Sequence, residues 1–127
     1  MVSLVLLSHS RKIVEGTKEL AEEMARDAPI FVAGGTDDGE MGSSYELIKD
    51  AIEKAYGPDG VIILYDLGSS VMTAALVLEE LDENMRARIK VMNAPLVEGA
   101  IAAAVEINSG ASLEEVETVL KEIEMIK

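Results

Sequence analysis

The sequence predicts an α/β fold: an open three-layer sandwich in which a mainly parallel four-stranded sheet carries helices on both faces. Four short runs are almost wholly apolar and lack the alternation of a half-exposed strand, which is typical of strands buried on both faces. Stripes of apolar residues with helical spacing lie between these runs. Because strand and helix alternate along the chain, the strands are predicted to run parallel.

The predicted strands are rich in Val, Ile and Leu, and they are SLVLLS (3–8), PIFVAGG (29–35), GVIILYD (60–66) and IKVMNAP (89–95). With right-handed crossovers, the usual order for such a chain places strand 1 between strands 2 and 3, which gives the order 2-1-3-4. Ligands of such sheets bind beyond the carboxyl ends of the strands, where the winding reverses. We therefore expect a site where strands 1 and 3 end.

The helices are predicted from apolar stripes and from capping residues. The three stripes comprise Ile13, Val14, Thr17, Leu20, Ala21 and Met24; Leu47, Ile48, Ala51, Ile52 and Ala55; and Val71, Ala74, Ala75, Leu78 and Leu81. Capping-box spacing is present at Ser43 with Glu46 and at Ser112 with Glu115. With Pro95 as a first helical residue and Gly110 as a helix stop, two further helices are expected over about 95–108 and 112–125.

Composition limits the kind of protein. The 127 residues, 49% of them hydrophobic, predict one domain over 1–127, and the absence of cysteine excludes disulfides and thiol chemistry. The amino terminus has neither the basic lead-in nor the long apolar stretch of an export signal, so we expect a cytoplasmic protein. A net charge of −13 speaks against nucleic acid and membrane surfaces as partners and favours a basic protein partner. An equally weighted alternative is that the acidic surface only maintains solubility.

Two residues at strand ends are candidates for chemistry. His9, the only histidine of the chain, follows strand 1, and Asp66 ends strand 3, so the predicted strand order makes them neighbours. A neutral imidazole is a nucleophile near pH 7, and a carboxylate that accepts the hydrogen bond of Nδ1 leaves the lone pair on Nε2. We predict His9 as the nucleophile and Asp66 as its partner. Either residue alone is more often a capping or turn-forming residue, so the prediction rests on their combination.

The predicted phosphate-binding residues are hydroxyls and glycine amides near His9. Such groups hold phosphate oxygens without a fixed positive charge, which lets a carrier release its phosphoryl group. The set comprises Ser8, Ser10, Gly42, Ser43, Gly68 and Ser69. Arg11 and Lys12 lie nearby. Either they steer a phosphorylated donor toward His9 or they belong only to a solvated first helical turn, and the two interpretations have equal weight. No metal is predicted, because the aspartates of TDDG (36–39) lack the ligand spacing of a calcium loop.

Four segments carry a resemblance to a known family: LVLLSHSRKIVEG, AGGTDDGEMGSS, DLGSS and NAPLVEGA. Over nearly its whole length the chain resembles the phosphotransfer subunits of phosphoenolpyruvate (PEP)-dependent dihydroxyacetone kinases, which belong with the mannose-type enzyme IIA domains of the bacterial phosphotransferase system. The resemblance implies that His9 accepts a phosphoryl group from the histidine-containing phosphocarrier protein HPr and passes it to ADP held by the nucleotide subunit of the kinase. It also implies that Asp66 is the family aspartate, that the protein is a homodimer, and that this chain itself binds no metal or diffusible cofactor.

Two other classes of protein stay open. Small sirohydrochlorin-type metal chelatases begin with a strand and a similar histidine motif, although they use a second histidine that this chain lacks. A non-catalytic, flavodoxin-like binding module is the other, although a flavin-binding version would need stacking aromatics, which make up only 3% of the residues. Two features depart from the resemblance: Gly42-Ser43 stands where the family usually has Gly-Thr, and EEVETVLKEIEMIK is predicted to be helical where mannose-type domains have a further strand.

Overall fold

The computed structural model describes residues 1–127 and contains four strands and six helices. The strands are β1 (Ser3–Ser8), β2 (Ile30–Gly34), β3 (Val61–Tyr65) and β4 (Ile89–Val91). The helices are α1 (Arg11–Met24), α2 (Tyr45–Ala55), α3 (Gly68–Glu79), α4 (Glu83–Ala87), α5 (Leu96–Asn108) and α6 (Leu113–Lys121). None of these helices combines the length and the apolar character that a membrane span requires.

The four strands form one parallel sheet in the order β2-β1-β3-β4, which confirms the predicted topology. Ser8 at the end of β1 lies beside Gly34 of β2, and Leu7 lies beside Tyr65 of β3. Strands β2, β1 and β3 therefore end at the same edge of the sheet. The residues that follow β1 and β3 meet at this edge.

Helices cover both faces of the sheet. Leu4 and Leu6 of β1 pack in a core with residues of α1, α5 and α6, whereas Val5 and Leu7 pack in a second core with residues of α2 and α3. Successive side chains of a strand point to opposite faces, so a strand covered on both faces needs apolar residues at every position. This three-layer arrangement confirms the predicted fold class and explains the unbroken apolar runs.

Only part of the predicted α1 stripe is buried. Val14, Thr17 and Ala21 are buried, whereas the other three predicted members are 46–61% exposed, namely Ile13, Leu20 and Met24. A helix that lies on a sheet buries a limited arc of its circumference, and the six-residue stripe was wider than that arc. Ala75 of the predicted α3 stripe is exposed for the same reason.

Several boundaries differ from the prediction. Ser44, not Ser43, caps α2: its backbone is extended and its side chain accepts a hydrogen bond from the N–H of Leu47. Strand β4 ends at Val91, and Pro95 precedes the first residue of α5 instead of being that residue. The short helix α4 was not predicted.

The carboxyl-terminal helix pair is close to the prediction. The capping box of Ser112 with Glu115 is present, and Gly110 follows the end of α5 with a φ of 92°, a conformation that favours glycine. Helix α6 ends earlier than the predicted residue 125, because the N–H of Met125 donates to the carbonyl of Asn93 instead of continuing a helix.

Candidate functional site

His9 and Asp66 lie side by side at the carboxyl edge of the sheet. Nδ1 of His9 is 3.3 Å from Oδ1 of Asp66, and the backbone N–H of His9 donates to Oδ2 at 3.1 Å. The two side chains are 23% and 19% exposed, so the pair is accessible from solvent yet partly shielded. The structure thus brings together two residues that are far apart in the sequence.

Asp66 is held in place by hydrogen bonds that favour its charged form. The hydroxyl of Ser8 donates to Oδ2 at 2.7 Å, and the N–H of Leu67 donates to Oδ1 at 2.7 Å. Burial alone would raise the pKa of Asp66, but the hydrogen bonds from Ser8, His9 and Leu67 outweigh burial and hold the pKa below its usual value. The side chain is therefore a carboxylate at neutral pH.

The charge of Asp66 determines the tautomer of His9. A carboxylate can only accept hydrogen bonds, so the ring nitrogen beside it, Nδ1, must carry the proton. Nε2 then keeps its lone pair. The hydroxyl of Ser69 is hydrogen-bonded to Nε2, and it must be the donor because Nε2 has no proton. The arrangement presents a nucleophilic nitrogen beside an exposed serine.

The first turn of α3 lies next to Nε2. Gly68 and Ser69 are exposed, a side chain at Gly68 would meet nothing within 4 Å, and no side chain caps the helix. The first N–H groups of a helix have no intrahelical partner and form the positive end of its dipole. Gly68 and Ser69 therefore lie at an uncapped helix start beside Nε2, and phosphate binding by these two residues stays a prediction.

The four other predicted phosphate-binding residues have hydrogen-bond partners within the protein. Ser8 is buried and donates to Asp66, and the hydroxyl of Ser10 caps α1 by accepting from the N–H of Ile13 at 3.4 Å. The N–H of Gly42 donates to the carbonyl of His9 at 3.0 Å. The hydroxyl of Ser43 lies 3.3 Å from that of Ser70. The Ser8 hydroxyl and the Gly42 N–H thus donate within the protein, whereas the Ser10 hydroxyl only accepts, and a role of these four residues in phosphate binding stays a prediction.

The glycine-rich loop after β2 is fastened to the histidine segment. The N–H of Gly35 donates to the carbonyl of Ser8 at 3.2 Å, and Gly35 has a φ of 73°. A Cβ at Gly35 would lie 2.5 Å from the carbonyl oxygen of Glu40, so the loop requires glycine there. Arg11 and Lys12 line an open groove together with this loop, on the β2 side of the site.

Ser70 belongs to the site and was missed from the sequence. It is 1% exposed, and its hydroxyl lies 3.2 Å from Nδ1 of His9 and 3.4 Å from Oδ1 of Asp66. Ser70 follows Asp66 by four residues and shares the buried face of α3 with Ala74 and Val77. A polar residue one turn from a candidate carboxylate, on the inner face of a helix, was the signal that could have found it.

Comparisons with known proteins show which family the chain resembles. The family model EIIA-man, described as the PTS system fructose IIA component, matches residues 3–117. The phosphoryl donor subunit DhaM of PEP-dependent dihydroxyacetone kinase 2 from Listeria innocua is 41% identical over 107 residues, which are 84% of this chain and 86% of that protein. The DhaM subunit of Escherichia coli is 38% identical over 120 residues, which cover 91% of this chain but 25% of that longer protein.

Among solved structures, the crystal structure of EF1359, a protein of unknown function, matches with a TM-score of 0.87 at 31% identity. The match covers 98% of this chain and 96% of that one. The family model spans most of the chain, and the Listeria relative matches over most of both chains. The chain therefore belongs to the EIIA-man family of phosphotransferase system IIA components.

Proposed function

We propose that this chain is a phosphohistidine carrier, the phosphoryl donor subunit of a PEP-dependent dihydroxyacetone kinase, and that His9 carries the phosphoryl group. The observation that supports this most directly is the His9 ring itself, with Nδ1 on the Asp66 carboxylate and Nε2 at the exposed first turn of α3. The names of curated relatives at 33–41% identity, which are phosphoryl donor or phosphotransferase subunits, agree with it.

The proposed loading step moves a phosphoryl group between two imidazoles. The lone pair of Nε2 attacks the phosphorus of a phosphohistidine on HPr. As the new N–P bond forms, the donor's N–P bond breaks, and the donor ring, protonated at its other nitrogen, leaves as neutral imidazole. His9 keeps its Nδ1 proton and becomes a phosphorylated imidazolium. The carboxylate of Asp66 stabilises this positive ring, so the pair is arranged for the charge that develops.

The unloading step reverses the same chemistry toward a different acceptor. An oxygen of the β-phosphate of ADP, held on the nucleotide subunit of the kinase, attacks the phosphorus in line. The N–P bond breaks and its electron pair returns to Nε2, so the products are ATP and neutral His9. We infer that the hydroxyl of Ser69 and the N–H groups of Gly68 and Ser69, at the uncapped start of α3, donate to the phosphoryl oxygens. No cofactor on this chain takes part.

Stepwise labelling tests this proposal. The chain is incubated with labelled PEP, enzyme I and HPr, and we expect an acid-labile, base-stable phosphate on the parent and none on a His9→Ala variant. ADP alone is expected to leave the label in place, whereas ADP with the kinase nucleotide subunit removes it as ATP. Equal labelling of the parent and His9→Ala would reject His9 as the carrier. Unloading that needs no kinase subunit would reject the proposed acceptor.

The remaining expectations from the resemblance stay proposals: one carrier domain over 1–127, a homodimer, and a cytoplasmic location. Sedimentation equilibrium measures the number of subunits. A mass equal to one 13.6 kDa chain at micromolar concentration would reject the dimer. The chelatase and binding-module alternatives are set aside, because the chain belongs to a family of phosphotransfer components.

A further inference from the structure

The segment after α6 returns to the carboxyl edge of the sheet and is fixed there. The N–H of Met125 donates to the carbonyl of Asn93 at 2.9 Å, and the side-chain amide of Asn93 donates to the carbonyl of Met125 at 2.5 Å. The hydroxyl of Tyr65 in turn donates to Oδ1 of Asn93 at 2.9 Å. These three hydrogen bonds connect the segment to the end of β3.

This connection places Lys127 at the residue before Asp66. Nζ of Lys127 donates to the carbonyl oxygen of Tyr65 at 2.5 Å and lies 3.8 Å from the centroid of the Tyr65 ring. A cation over an aromatic face is attracted by the ring, so the ammonium has two favourable contacts at this position. Burial lowers the pKa of Lys127, while attraction by the Asp66 carboxylate acts in the opposite direction. The hydrogen bond to the carbonyl of Tyr65 places the ammonium beside the peptide group that leads into Asp66.

The other cationic side chains near His9 lie on the opposite side of the histidine from Lys127. Arg11 and Lys12 are exposed and line the groove beside the glycine-rich loop, on the β2 side of the histidine. Lys127 instead lies at the end of β3, on the carbonyl of the residue that precedes Asp66. In a chain with 24 acidic and 11 basic residues, a phosphoryl group adds further negative charge to an already anionic surface. A cation at this position offsets part of that charge.

Building on the proposed function, we propose that Lys127 is a positioning residue of the phosphoryl site. Its ammonium, anchored on the carbonyl and ring of Tyr65, supports the anionic Asp66 that fixes the His9 tautomer, and it reduces the cost of placing a phosphoryl group on His9. It acts through Asp66 and does not itself receive the phosphoryl group.

Three variants test this role, with phosphoramidate as a small phosphoryl donor so that no partner protein is needed. Lys127→Gln removes the charge, Lys127→Arg keeps it, and Lys121→Gln removes an equal charge from α6, where Lys121 is 61% exposed beside Glu117. We expect Lys127→Gln to phosphorylate His9 about two- to fivefold more slowly than the parent, the size typical of a partly exposed charge pair. Lys127→Arg should restore most of the rate, and Lys121→Gln should equal the parent.

A second readout separates positioning from a purely structural role. The carboxyl carbon of Asp66, followed by NMR, should titrate at higher pH in Lys127→Gln than in the parent or in Lys127→Arg, since a nearby cation favours the anion. An unchanged rate and titration in Lys127→Gln would overturn the inference, as would an equal loss of rate in Lys121→Gln. Failure of the parent itself to form phosphohistidine would reject the proposed function instead, so the two failures are distinguishable.

Discussion

Replacing Asp66 by asparagine keeps the shape of the side chain but changes what it can accept. Oδ2 of the carboxylate accepts from the Ser8 hydroxyl and the His9 N–H. Oδ1 accepts from the Leu67 N–H, from His9 Nδ1 and, at 3.4 Å, from the Ser70 hydroxyl. An asparagine side chain has only one accepting oxygen. Its NH₂ group must therefore occupy either the Oδ1 or the Oδ2 position and point at the donors there. With the NH₂ in the Oδ1 position it donates to Nδ1, which moves the ring proton to Nε2 and removes the nucleophilic lone pair.

The expected loss follows from the hydrogen bond that is removed. A hydrogen bond to a charged group contributes about 1.5–3 kcal/mol, which corresponds to roughly 10- to 150-fold in rate. The Nδ1–Oδ1 distance of 3.3 Å is long for such a bond and the Asp66 side chain is 19% exposed, so the lower part of this range applies. We expect phosphorylation of His9 to slow by about 10- to 30-fold, while the unsatisfied donors cost about 1–3 kcal/mol of stability.

The assay compares initial rates of His9 phosphorylation by phosphorylated HPr in the parent, Asp66→Asn and Asp38→Asn. Asp38 is an exposed loop residue, so Asp38→Asn controls for the loss of one negative charge near the site. Folding of each variant is checked by urea denaturation. A folded Asp66→Asn protein that is phosphorylated as fast as the parent would refute the assignment of the tautomer to Asp66.

Three further predictions concern packing, docking and pH. A Cβ at Gly34 would lie 2.6 Å from Cγ2 of Val14, so Gly34→Ala should lower the free energy of unfolding by about 1–3 kcal/mol, measured by urea denaturation; an unchanged midpoint would contradict this close approach. Met72 is 70% exposed on α3, one turn from the site, so Met72→Glu should slow transfer from HPr but not from phosphoramidate; Met24→Glu, at a 61% exposed methionine of α1, is the control and should slow neither. The pKa of Asp66 is lower in the folded chain than its unfolded value of about 3.9. The charged Asp66 therefore contributes its full stabilisation above about pH 3.9, and this stabilisation is lost as the pH falls through the pKa of the folded chain. The difference in unfolding free energy between the parent and Asp66→Asn should therefore narrow below about pH 4, and a difference that stays constant between pH 6 and pH 3 would contradict the lowered pKa.

The fold was predictable because its strands are buried on both faces. A central parallel strand needs apolar residues at every position, so β1 and β3 stand out from the helical stripes around them. Handedness and strand order then place His9 beside Asp66 without any knowledge of their contacts. Boundaries were less predictable, because two adjacent serines, Ser43 and Ser44, are equally suited to capping a helix.

The inner parts of the site were not predictable in the same way. Donor groups at Ser8 and Gly42 are used by Asp66 and by the His9 carbonyl, and such pairings depend on side-chain directions and on loop geometry rather than on residue type. Lys127 was missed because its position depends on hydrogen bonds made by Met125 and Asn93, which are 32 residues apart in the sequence. Periodicity and motif spacing carry no information about contacts of this kind.

The central claim is that Nε2 of His9 is the phosphoryl-bearing atom while Nδ1 keeps its proton on Asp66. Long-range ¹H–¹⁵N NMR of the His9 ring, recorded before and after phosphorylation, measures both nitrogens directly. The account predicts a protonated Nδ1 in both states and a phosphorus attached to Nε2 in the second. A phosphorus on Nδ1, or a resting ring whose proton is on Nε2, would contradict it.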